Sequence, residues 1–83
     1  MITAAQIRAA RGALGWSAFD LAKISGVGQR TIMRMEATEG VPMGRVSTLL
    51  DVKLALEQAG IEFLGTPDDR PGIRFLKHRS PDA

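Results

Sequence analysis

Gln29, Arg30 and Arg34 stand within six residues of one another in the stretch GQRTIMRME, residues 28–36. Arginine forks bidentately onto the O6 and N7 of guanine, and glutamine does the same on the N6 and N7 of adenine. At 100° per residue, Gln29, Arg30, Met33, Arg34 and Ala37 fall on one side of a helix, and Gly28, Thr31, Ile32 and Met35 on the other. Such a helix would bury an apolar stripe and present a cationic one, narrow enough to enter a DNA major groove. Two arginines alone are ordinary solvated charge, and it is the turn before them that changes the reading. Rival chemistries find little to work with. The single histidine, His78, has no carboxylate at ligand or relay spacing, and Ser17, Ser25 and Ser47 have no histidine partner. Gly26-Val27-Gly28 is too short to cradle a phosphate in the manner of a nucleotide-binding loop. No catalytic residue, metal ligand or cofactor is expected, and an enzyme is not.

The elements that must carry these side chains can be read from punctuation. DLAKISGVGQRTIMRMEA, residues 20–37, places apolar residues at helical spacing on both sides of a glycine break. Gly26 can adopt positive φ at a helix end, where a Cβ is costly. Val27 would then drop between two helices that meet at a steep angle. Upstream, Thr3-Ala-Ala-Gln6 has the form of a capping box, and Gly15 supplies a stop after Leu14. Ser17 has the chemistry of a second N-cap, with Asp20 in the favourable first turn. The third helix is expected over residues 28–37, followed by a loop from Thr38 to Gly44 and a fourth helix from about Gly44 to Ala59. The period then changes from helical to two. IEFLG (61–65) and GIRFL (72–76), separated by TPDDRP, predict a β-hairpin with Ile61, Phe63, Ile73 and Phe75 on one face and Glu62 facing Arg74. KHRSPDA reads as a polar tail.

Composition agrees with one small domain. The chain has 83 residues, 45% of them hydrophobic, with no cysteine and a net charge of +2. That charge is uneven: residues 1–40 carry +2, residues 41–70 carry −2 and residues 71–83 carry +2. A basic first half suits an anionic partner. No apolar run approaches the roughly 20 residues of a membrane span, and the first residues lack the basic-then-apolar order of a signal peptide. A cytoplasmic protein with no membrane partner is expected. The core should include Ile7, Leu14, Leu21, Ala22, Val27, Ile32, Met35, Leu49 and Leu56.

The stretch WSAFDLAKISGVGQRTIMRME, residues 16–36, resembles the Xre/Cro phage-repressor type of helix-turn-helix DNA-binding family. The resemblance lies in an apolar residue followed by Ser, Leu-Ala four positions on, Gly-Val at the turn, Thr-Ile inside the third helix, and the closing Met-Glu. It covers residues 3 to about 58 and implies a mainly α, compact four- to five-helix domain, here followed by a C-terminal β-hairpin. The organisation expected is a DNA-binding domain over residues 1–60, a hairpin extension over 61–77 and a tail over 78–83. The implied function is sequence-specific binding of double-stranded DNA by a transcriptional regulator. By position, base contacts fall on Gln29, Arg30, Met33 and Arg34, and phosphate contacts on the amides near Ser17 and Gly28 together with Thr38 and Arg45. The resemblance also implies a structural ion pair between Arg11 and Glu36, aligning the third helix without touching DNA. Two departures stand out: Ala18 replaces the usual glutamine after Ser17, and Gly28 replaces a Ser or Thr cap. Both remove polar contacts to the DNA backbone, so an antitoxin-like or adaptor protein, using the fold to bind another protein, is the alternative.

The fourth helix carries Val46, Leu49, Leu50, Val52, Leu54 and Leu56, a wider apolar arc than one domain's core needs. A two-stranded hairpin is marginal by itself, so it must pack on the fourth helix or extend across a dimer. A homodimer is therefore expected, with Leu54, Ile73 and Phe75 as interface residues. Dimerisation would place two reading helices about one turn of DNA, ~34 Å, apart on a palindromic operator.

Overall fold

A computed structural model describes residues 1–76 of the chain. Lys77, His78 and the rest of the expected tail lie outside the described residues. Four helices, α1 (Ala4–Leu14), α2 (Ala18–Ser25), α3 (Gln29–Glu36) and α4 (Val46–Gln58), precede two antiparallel strands, β1 (Ile61–Thr66) and β2 (Asp69–Phe75). The class is mainly α with a C-terminal hairpin, and the described residues hold four helices, the lower of the two expected counts.

Local chemistry accounts for the boundaries. The Thr3 hydroxyl accepts from the Gln6 N–H at 3.1 Å, while Gln6 Oε1 accepts from the Thr3 N–H at 2.8 Å. These bonds satisfy two donors that a helix start leaves open. Ser17 and Asp20 repeat the arrangement at the front of α2, at 3.0 and 2.9 Å. Gly26 closes α2 at φ 76°, in the left-handed region where a Cβ would crowd the following carbonyl. Helix α4 begins two residues later than expected, because Gly44 at φ 126° cannot belong to a right-handed helix.

The core is one cluster. Ile7, Leu21, Ile32, Val52 and Leu56 are fully buried at its centre, joined by Val27, Met35 and Leu49. Leu14 and Ala22, expected inside, are half-buried at the margin. Ile2, Ala10, Ala55 and Ile61 complete it. Small residues such as Ala10 and Ala55 let helices approach closely, which a scan for large apolar residues overlooks.

The hairpin departs from expectation at two points. TPDDRP is mostly strand, and only Pro67-Asp68 turns between Thr66 and Asp69. A bulge sets Arg70 and Pro71 against Gly65; Gly65 takes φ 73°, and a Cβ there would come within 2.6 Å of the Asp69 carbonyl oxygen. The register otherwise runs as the alternation demanded: Ile61 faces Phe75, Phe63 faces Ile73, and Glu62 reaches Arg74 at 3.3 Å. The hairpin rests on more than α4. β1 lies along α4, but β2 packs on α1, where Gln6 Nε2 donates to the carbonyls of Leu64 (3.0 Å) and Gly72 (2.8 Å). One side chain thus caps the first helix and binds both strands.

Candidate nucleic-acid interface

Helix α3 is fixed from beneath and behind. Ile32 is fully buried and Met35 is 7% exposed, so the apolar stripe seats the helix on the core. The last residue, Glu36, is buried and receives Arg11 bidentately, with Nε to Oε2 and Nη2 to Oε1 both at 2.9 Å. The remaining Arg11 nitrogen, Nη1, donates to the Trp16 carbonyl at 2.9 Å. One guanidinium therefore joins α1, the α1–α2 turn and the end of α3. The Glu36 bonds raise the Arg11 pKa above its ordinary value, so this cation persists at any pH the fold survives. Arg8 Nη1 donates to the Glu36 backbone carbonyl, closing the C-terminal end of α3.

The opposite face is open. Gln29, Arg30 and Arg34 are exposed, and Met33 is 56% exposed. Glu36 is the only acidic residue on α3 and is held by Arg11, so the outward stripe keeps its positive charge. Among the described residues neither Arg30 nor Arg34 forms an ion pair. The start of α3 at Gly28 has no side-chain cap and no acidic residue in its first turn. A helix end of that kind leaves N–H donors and the positive end of the macrodipole toward solvent.

The candidate phosphate contacts divide. Gly28 is exposed at the front of α3, and Arg45 is exposed just before α4. The Thr38 hydroxyl donates to the Arg34 carbonyl at 3.1 Å, ordering the chain as it leaves α3. Arg34, Thr38 and Arg45 line one cavity of about 320 Å³ between the end of α3 and the start of α4. Ser17 is different. Its N–H already donates to Asp20 Oδ2, and that bond holds the Asp20 carboxylate below its usual pKa range. The front of α2 therefore presents an anion and a satisfied amide, a poorer place for phosphate than its cap residue suggested. Ala18 is half-buried there, while Phe19 is 54% exposed with Lys23 Nζ 5.6 Å from its ring centre.

The proposed interface residues separate as well. Leu54 is 54% exposed and shares a shallow hollow with Ile24, itself 55% exposed, and with Asp51 and Gln58. Ile73 is half-buried against its own core, so only part of it is available to a partner. Phe75 is 43% exposed at the open end of the hairpin, opposite Ile61.

Sequence reasoning missed Arg8, although its three-residue spacing from Arg11 puts both on one face of α1. It also missed the second task of Gln6, which depends on where residues 64 and 72 arrive. No protein-family model matches this chain, and no curated protein matches it significantly. No helix among the described residues is long and apolar enough to cross a membrane.

Proposed function

We propose that this chain is a helix-turn-helix regulator of transcription that reads the major groove with α3, as a homodimer on a palindromic operator in the cytoplasm. The observation that carries the reading is the face of Gln29, Arg30, Met33 and Arg34, which is exposed, while the one acidic residue of the helix, Glu36, is buried in its bond with Arg11 and fixes the helix from behind. A rigid helix presenting forked donors is what recognition of base edges requires. Phosphates would be held by the amides at Gly28 and by Arg45, which position the helix without reading sequence.

The test is selection of bound fragments from a random duplex pool, followed by salt titration. A motif of two half-sites should emerge, and log affinity should fall with log salt by about 0.9 per phosphate contact. A protein that enriches nothing and stays unbound at low salt overturns the reading. One observation favours the adaptor alternative: the front of α2 offers Asp20 and an exposed Phe19 where a backbone-gripping surface would be polar and uncharged. The same titration separates the two, because an adaptor has no steep salt dependence on DNA.

A further inference from the structure

The segment between α3 and α4 does not fill the angle between them, which leaves the cavity of about 320 Å³. That is near the lower end of the volumes that hold small ligands and corresponds to roughly ten waters of liquid volume. Its floor is apolar, from Met35 and Leu49, which are 7% and 4% exposed. Half-buried Thr31 and Thr48 also line it. Arg34 enters from α3 and Arg45 from the start of α4, and among the described residues neither is in an ion pair and no acidic side chain lines the space. Inorganic phosphate could engage the two guanidiniums but has no apolar part to lay on Met35 and Leu49. An anion with a compact hydrocarbon body answers both features, since carboxylate oxygens match the guanidinium fork.

We propose that the cavity is a binding site for a small organic carboxylate, and that its occupation weakens DNA binding by engaging Arg34 and Arg45. The second half of this inference rests on the DNA-binding reading, and the first does not.

The experiment titrates the nitrogen-15-labelled 83-residue chain with 4-isopropylbenzoate in the absence of DNA, beside the neutral 4-isopropylbenzamide and inorganic phosphate. Saturable amide shifts at Thr31, Thr38 and Thr48 are expected with the carboxylate and not with the amide. Arg34→Gln and Arg45→Gln should each weaken binding about tenfold or more; both residues are exposed, and an unchanged circular dichroism spectrum verifies the fold. An equal response to the amide, shifts that map elsewhere, or phosphate binding as tightly as the carboxylate would overturn the proposal. The DNA arm repeats the operator titration with carboxylate present, where apparent affinity should fall for the parent. Carboxylate binding without any DNA binding would sink the regulator reading and with it the second half of this inference, leaving the carboxylate site standing. DNA binding with no carboxylate response would sink the whole inference, and DNA binding unaffected by bound carboxylate would sink its second half; both leave the regulator intact.

Discussion

Among the described residues the side chains of Arg30 and Arg34 make no hydrogen bond or ion pair, whereas Arg11 makes three hydrogen bonds. Substitutions at these positions should therefore differ in kind. Arg30→Ala or Arg34→Ala should keep the melting temperature, cost about 1–3 kcal/mol of operator affinity and relax preference at one base position. Arg45→Ala should instead weaken every duplex alike and flatten the salt dependence. Selection on randomised operators reads both effects, and an Arg34→Ala protein as selective as the parent would remove the outward stripe from the site. Asp20 gives a pH signature. Its folded pKa is depressed by the Ser17 cap, so the unfolded chain takes up the proton more readily as pH falls. The stability it contributes is complete above the ordinary carboxylate range and disappears as pH drops through the lowered value. Thermal unfolding of Asp20→Asn against the parent should show a gap at pH 7 that closes at strongly acidic pH; a gap of constant size contradicts the capping role.

The first two helices and their stops were legible because short-range chemistry marks them, with Thr3 and Ser17 as caps and Gly15 and Gly26 as ends, and Ile32 and Met35 mark the buried stripe of α3; α4, which has no side-chain cap, was placed two residues early. The hairpin pairing was legible from its alternation. What escaped was long-range. TPDDRP reads as a loop because a bulge beside Gly65 has no local signal beyond its turn residues, and nothing near Gln6 announces strands 58 and 66 residues away. The site follows the same division, for the reading stripe is a property of one helix while the cavity is assembled from three segments. Gln6 allows a measurement of that long-range part. Gln6→Ala removes the donor to the Leu64 and Gly72 carbonyls as well as the capping bond, and should cost about 2–3 kcal/mol. Thr3→Ala loses the cap alone, about 1 kcal/mol. Hydrogen exchange across residues 61–75 should accelerate in the Gln6 variant and hold steady in the Thr3 variant. Equal protection in both would mean that α1 does not hold the hairpin.

If α3 reads DNA as proposed, two-fold pairing is the assembly it calls for, because one short helix covers few base pairs. The exposed apolar side chains nearest to suiting it are Leu54 and Ile24, on a surface formed by α2 and α4. Leu54→Glu should leave folding within about 0.5 kcal/mol, the usual range for an exposed site. It should convert a dimer to a monomer in sedimentation at micromolar concentration and lower operator affinity on the order of 100-fold through lost avidity. A dimer that survives Leu54→Glu but not Phe75→Glu would move the interface to the hairpin. The bonds from Gln6 to both strands bear on a different matter, the birth of the protein on the ribosome. Helix α1 is made before the hairpin, so the place of Ile61 stays empty until β1 has been made and Gln6 lacks its Gly72 partner until β2 has. Synthesis at about 5–20 residues per second separates these events by several seconds. A nascent chain in that interval exposes unfinished core to chaperones and proteases. The bonds between α1 and the second strand therefore exist only in chains translated through β2, and a chain cut short before Gly72 keeps the exposed stripe of α3 and its Arg11–Glu36 support but lacks the Gln6 bond to Gly72.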